Sequence, residues 1–428
     1  MGWRRDLGTS APVFIIVNAE EWGEFGGYDL GMRKSILALT ISAFGIGTSE
    51  YVIMGLLPDL AKSFAISIPK AGVIVSAYAL SVTFGSPLVA LALSRVERKR
   101  SLVFLMGIYL IGNLCCALAP NFPLMLAARI LTALCHGAFF GTGSIVAANL
   151  VPKERRAQAI TTMFSGLTLA NVLGVPVGTA LGHMASWRWA FVALLPVGLI
   201  AMAGLIFFVP RQEAQRVEFK HELKTVMRLK VQLVLALSTL SSLSLFCVFT
   251  YIAPMLSTVT HVSPRVITWV LVLFGVGITI GNLAGGRLSD WRQMTTLIGG
   301  YCLVVLVLLL LPLAMPHAGW MAVMVMVWGA VHFGASAPLQ ARIVDKARRA
   351  PNLASTLNQG AFNLGNALGA SLGGVMLAAN FGYRVLPLVG AAVAVVVILL
   401  SLYAMRLDRL HYTDPDAGPV GDEVFCAH

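Results

Sequence analysis

Apolar residues in this chain come in long blocks separated by short polar stretches, and the blocks recur along most of its length. Twelve of them read as membrane-crossing helices: approximately 36–58, 71–94, 101–119, 124–150, 158–182, 189–209, 231–256, 266–288, 295–315, 319–343, 353–379 and 385–405. The first is 23 residues long, enough at 1.5 Å per residue to cross a hydrocarbon core of about 30 Å. Several others exceed that need, so tilt or helical extension beyond the membrane is expected. The pattern predicts an all-α polytopic membrane protein with twelve transmembrane helices.

Composition agrees: 57% of the 428 residues are hydrophobic and 12% are charged, against roughly 25% charged in a soluble domain. A net charge of +12 raises nucleic acid as a partner, but the placement of the basic residues argues against it. Connections on one side of the predicted membrane hold 23 Lys and Arg, and those on the other side hold five, namely Lys62, Lys70, Arg188, Arg265 and Arg384. By the positive-inside rule both termini are cytoplasmic, in a multi-pass protein whose surroundings are the lipid bilayer.

The chain repeats itself at an offset of 196 residues: Pro58 falls on Pro254, Gly85 on Gly281, His136 on His332, and Trp187-Arg188 on Tyr383-Arg384. At 195 residues, Asn171, Gly174 and Gly178 fall on Asn366, Gly369 and Gly373. Six spans is an even number, so both halves start on the same side and form two six-helix bundles, parallel repeats related by a pseudo-two-fold axis along the membrane normal, with a site expected between them. The boundaries read as a cytoplasmic tail over 1–31, a first bundle over 32–209, a linker over 210–230, a second bundle over 231–406 and a tail over 407–428. EFKHELKTVMRLKV in the linker reads as an amphipathic helix at the inner membrane surface. Met32, directly before Arg33-Lys34, reads as the true start of translation.

Two charges lie inside the first half's spans. Glu50 sits in FGIGTSEYVIMGLLP, and a carboxylate placed so is costly, faces a protein or water interior, and tends to mark an ion or proton path. Arg129 lies in the fourth span at a depth that differs from that of Glu50 by roughly 5 Å at the helical rise. A buried Arg lowers the cost of an ionised carboxylate nearby, and protonation of the carboxylate weakens the pair. That makes a usable switch for proton coupling; the alternatives are a structural ion pair or an arginine that snorkels outward. The positions 196 residues on are Phe246 and Val325, so neither charge has a symmetry mate.

The stretches GTSEYVIMGLLPDLA from Gly47, HGAFFGTGS from His136, NVLGVPVGT from Asn171, SWRWAF from Ser186, SAPLQ from Ser336 and AFNLGNALGA from Ala361 resemble the major facilitator superfamily, in particular bacterial efflux members of its twelve-span drug:proton antiporter family. The resemblance covers about residues 32–406. It implies a secondary transporter that exports a small organic solute, drug-like or sugar-like, in exchange for protons by alternating access. A facilitator or symporter for sugar or nucleoside and a non-transporting membrane sensor are the other readings. The loop signature of the family survives in the first half only as Arg98, Lys99 and Arg100, and more fully in the second as GRLSDWR with Gly286 and Asp290, where it implies a conformational latch; a solvated charge cluster that only marks topology is the other reading. Gly174, Pro176 and Gly178 resemble the family's antiporter signature in a loose form, and Pro176 inside a span predicts a kink usable in gating; close helix packing is the other reading.

In the resembled fold, spans one, four, seven and ten line the substrate cavity. Met54, His136, Phe140, Phe246, Tyr251, Trp328 and His332 are the candidates from these, with Asn358, Asn363 and Asn366 on the eleventh span as polar additions. Such a lining suits a moderately apolar solute; lipid-facing or core aromatics, and packing histidines with satisfied nitrogens, are the other reading. No phosphate-cradling loop of the Gly-x-x-x-x-Gly-Lys kind is present, and the six cysteines have no metal-ligand spacing and imply no disulfide. The chain reads as a monomeric carrier, not an enzyme, without metal or cofactor.

Overall fold

Apolar segments cut off from water must satisfy their peptide groups internally, which inside a membrane favours helices. The computed structural model of the chain has that form: it describes residues 30–152, 155–213, 226–347 and 351–410, and among the described residues there is no strand. Spans 1 to 7 are Gly31–Ser63, Ile68–Ala92, Arg98–Leu118, Phe122–Asn149, Gln158–Met184, Trp187–Phe208 and Leu229–Thr258. Spans 10 to 12 are Ala318–Lys346, Leu353–Ala378 and Val385–Asp408. Spans 8 and 9 share the 51-residue run Pro264–Ala314, which doubles back at Arg292, where φ of −148° and ψ of 84° leave the helix. A straight helix of that length would reach about 76 Å, far more than one crossing needs. Twelve crossings in two bundles result. The N-terminal segment, most of the proposed linker helix and most of the C-terminal tail lie outside the described residues.

Side chains are sorted for a lipid surround. Leu88, Phe207, Leu313 and Trp320 face outward, whereas Glu50, Arg129, His136, His332 and Asn366 are buried. The internal repeat is visible in the packing as well. In the first bundle the Thr40 hydroxyl donates to the Thr162 carbonyl at 3.1 Å, joining spans 1 and 5. In the second, the Thr239 hydroxyl donates to the Ala361 carbonyl at 3.1 Å, joining spans 7 and 11.

Two spans of the first bundle are irregular, each for the same reason. Span 2 widens into a π-helical turn over Ser81–Gly85, and span 5 does so over Ala170–Gly174. In both, a proline stands two residues after the final glycine, at Pro87 and Pro176. A proline has no N–H and crowds the carbonyl a turn earlier, and the wider turn relieves both problems. The corresponding spans 8 and 11 lack these prolines and contain no such turn.

The bundles are drawn together toward the end that holds the connections at 64–67, 185–186, 259–263 and 379–384, which is the end poor in basic residues. Span 2 packs along span 11, the 170–184 part of span 5 packs on span 8, and Ile252–Thr258 of span 7 packs on span 1. The Ser76 hydroxyl lies 3.0 Å from that of Ser371 and donates to the Ala367 carbonyl at 3.2 Å. Farther along, the Thr83 hydroxyl donates to Gly360 at 3.2 Å. Tyr251 is wedged into this closure: its hydroxyl donates to the Ala370 carbonyl at 2.7 Å, and a Cβ on Gly72 would collide with its ring.

Candidate functional site

Span 1 carries Glu50 into the seam between the bundles, and span 4 brings Arg129 alongside. Arg129 is fully buried, and Glu50 is 5% exposed. The guanidinium does not grip the carboxylate as the sequence predicted. Instead its Nη1 donates to the Ser49 carbonyl at 2.7 Å and to the Ser49 hydroxyl at 3.3 Å, and its Nη2 donates to the Glu50 carbonyl at 3.3 Å. Its other face lies on the Tyr78 ring, 4.1 Å from the centroid. Arginine suits this place because a planar, delocalised cation can both fork onto two carbonyls and stack on an aromatic ring. It fixes the turn that presents Glu50.

The carboxyl group has its own neighbours. His136 Nδ1 is 3.8 Å from one carboxyl oxygen and 3.1 Å from the Tyr78 hydroxyl. The Asn366 amide nitrogen donates to the other carboxyl oxygen at 3.5 Å, across the seam from span 11. Next to it, Tyr51 meets Phe246 of span 7 with ring centroids 6.1 Å apart. A narrow cavity lies here, lined by Glu50, Met54, Val75, Tyr78, Ala79, Arg129, Phe246 and Asn366. Both bundles therefore contribute to one polar centre with an apolar wall.

Of the residues picked out by sequence, Glu50, Met54, Arg129, Phe246 and Asn366 meet at this cavity and His136 abuts it. Phe140 continues from His136 into an aromatic stack, its ring 5.0 Å from Phe164. Trp328 and His332 lie elsewhere in the second bundle, among Phe249, Phe274, Phe333 and Tyr301. There the Tyr301 hydroxyl bonds Ser241 and lies 3.1 Å from Ser336. Asn358 accepts from Ser238 at 2.6 Å and donates to Gln340 at 2.8 Å, and Asn363 donates to the Gln359 carbonyl at 3.0 Å. Tyr251 belongs to the closure described above.

The conformational candidates also find places. A Cβ on Gly174 would strike Thr48, and one on Gly178 would come within 2.7 Å of Val52, so these glycines let span 5 lie against span 1. Their counterparts Gly369 and Gly373 do the same for span 11 on span 7, at 2.6 Å from the Leu243 carbonyl and 2.7 Å from the Cys247 carbonyl. Pro176 follows the π turn of span 5. Arg98 is buried and its backbone N–H donates to the Gln212 carbonyl at 3.0 Å; Lys99 is half-buried, and Arg100 pairs with Glu97 at 3.2 Å. Gly286 has open space around it, and Asp290 is exposed beside the break at Arg292.

Sequence reasoning missed Tyr78. It looked to spans 1, 4, 7, 10 and 11, whereas Tyr78 sits on span 2 in the run AGVIVSAYALSV. A lone phenol in an otherwise apolar span, whose hydroxyl needs a partner once buried, was the available signal.

The sequence and the fold have counterparts in known proteins. The family profile described as Major Facilitator Superfamily matches residues 39–355 and again 235–421, the second match starting 196 residues after the first. "Inner membrane transport protein YdhP" of Escherichia coli (strain K12) is 46% identical over 372 residues, covering 87% of this chain and 96% of that protein. "Chloramphenicol resistance protein" of Streptomyces lividans is 30% identical, covering 88% and 97%. In fold, the chain is similar to a crystal structure of a bacterial homologue of the human lysosomal transporter Spinster, inward-facing and unoccupied, with a TM-score of 0.72 at 16% identity, covering 89% and 98%.

Proposed function

The chain belongs to the major facilitator superfamily, and from that premise we propose that it exports a small organic solute across the inner membrane in exchange for protons, by alternating access. The observation that carries this reading is the buried Glu50 carboxyl in the seam, bordered by His136 and Tyr78 of its own bundle and Asn366 of the other. A carboxyl at such a depth is a proton-binding group placed where the two bundles must move apart. Arg129 holds the turn and supplies a fixed positive charge, so the ionised carboxylate is tolerable there. The lining of Met54, Val75, Ala79 and Phe246 supplies an apolar wall for a solute. The Streptomyces lividans relative, named for chloramphenicol resistance, supports drug-like solutes as the first class to try.

In this reading the basic-rich end is cytoplasmic, and the closure along spans 2 and 11 shuts the outer side. The protein acts as a single copy, and its conformational latch lies in the loops at Arg98–Arg100 and Gly286–Asp290, with the π turns before Pro87 and Pro176 as flexing points. The test is a solute panel, amphenicols and sugars included, in inverted membrane vesicles with and without an imposed pH gradient. At least one solute should accumulate only when the vesicle interior is acidic. Equal uptake with the gradient collapsed would instead support a facilitator.

A further inference from the structure

Glu50 and most of its polar neighbours ride on the first bundle. Arg129 and His136 come from span 4, Tyr78 from span 2, and Tyr51 from the same helix. When the bundles separate, these groups travel together with the carboxyl, so their interaction with it need not change. From the second bundle two side chains reach this centre: Phe246, which is uncharged and apolar, and Asn366. Asn366 is itself anchored in its own bundle, where the Ser242 hydroxyl donates to its Oδ1, and its Nδ2 faces Glu50. It lies on span 11, the helix packed most extensively along span 2, and next to Ala367, the carbonyl partner of Ser76 in that closure.

A hydrogen bond to an ionised carboxylate is roughly twice as strong as a neutral one. Protonation of Glu50 reduces the bridge to a neutral hydrogen bond at most, whichever way the amide turns. We propose that Asn366 is the positioning residue that converts the protonation state of Glu50 into the separation of the two bundles: ionised Glu50 bound to Asn366 holds the basic-poor end closed, and a proton on Glu50 releases it. The proposal rests on the proton-exchange reading given above. Its consequence for an exporter is protection against slip. After releasing its proton to the cytoplasm, the empty carrier stays closed on the outer side until a solute enters the cavity and takes the amide away from the carboxyl.

Linkage fixes the sign. The closed state interacts more strongly with the deprotonated carboxyl, so raising pH favours closure and lowering it favours opening at the basic-poor end. The test uses spin labels at the exposed positions Lys62 of the first bundle and Ala379 of the second, with Cys115, Cys302 and Cys426 changed to Ser, in the full chain in lipid nanodiscs from pH 5 to 9. In the parent, the closed-to-open ratio should rise roughly fivefold across the titration, the size expected from a charged against a neutral hydrogen bond. Asn366→Ala should flatten that response, Ser242→Ala should weaken it, and Asn366→Gln, which keeps an amide, should retain part of it. Glu50→Gln should show no pH response in either background. A parental pH response in Asn366→Ala overturns the inference, as does a response that survives Glu50→Gln, which would assign the titration to His136. Neither result touches the proton-carrier reading, which fails separately if Glu50→Gln still drives uphill efflux.

Discussion

Arg129 shows how a buried charge was legible as a residue but not as a bond. Its type and depth placed it near Glu50, and it is near, yet its two terminal nitrogens bond the Ser49 and Glu50 carbonyls and Ser49 Oγ. Depth along a helix follows from counting at 1.5 Å per residue, whereas the direction of a long side chain depends on what else competes for it. Here Tyr78 below the guanidinium and the carbonyls in front of it win. Arg129→Ala should therefore destabilise the protein by about 2–3 kcal/mol, the scale of lost hydrogen bonds to a charged group. Arg129→Lys should recover less than half of that loss, because a point charge cannot fork and stack. Thermal unfolding in detergent, with Glu50→Gln as a comparison that leaves the arginine's carbonyl partners in place, checks both values. Equal stability of Arg129→Lys and the parent would show that charge alone matters.

At the scale of elements, the glycines of span 5 and span 11 separate two meanings that one motif can carry. Gly174 and Gly178 let span 5 press on span 1, and Gly369 and Gly373 repeat this for spans 11 and 7. The agreement at an offset of 195 residues was readable because close packing of helices demands small residues at fixed intervals. The π turns were not readable in the same way. Pro176 predicted a kink, but the equivalent irregularity in span 2 before Pro87 went unread, since how a helix accommodates a proline depends on its neighbours. Gly178→Ala should cost about 1–3 kcal/mol through overpacking against Val52. Gly286→Ala, with nothing near its Cβ, should leave stability unchanged within about 0.5 kcal/mol. Melting curves of the two purified variants decide the matter, and equal losses would remove packing as the explanation. Gly72→Ala, which would collide with Tyr251, should shift the spin-label distances between Lys62 and Ala379 toward separation at every pH.

For the whole molecule, number of spans and bundle symmetry come from properties that add up along the chain, namely apolar length and repeat offset, and the distribution of Lys and Arg carries the proposed orientation. These survive without knowledge of any contact. Cavity membership does not add up in that way: whether Phe246 or Trp328 faces the seam is set by helix rotation, so Phe246 joins Glu50 while Trp328 packs with Phe249 and Phe274. The orientation has its own check. Single cysteines at the exposed Arg100 and at Arg348 should resist an impermeant thiol reagent in intact cells, and one at Lys62 should react; labelling of the first two would invert the topology. The central claim is that Glu50 carries the proton, and solute transport by Glu50→Gln in inverted vesicles tests it most directly. Gln keeps the shape of the side chain and can still meet Asn366, but it cannot release a proton. The variant should exchange labelled for unlabelled solute at close to the parental rate, with accumulation driven by the pH gradient falling to background. Gradient-driven accumulation at the parental level in a well-expressed Glu50→Gln protein would contradict the account.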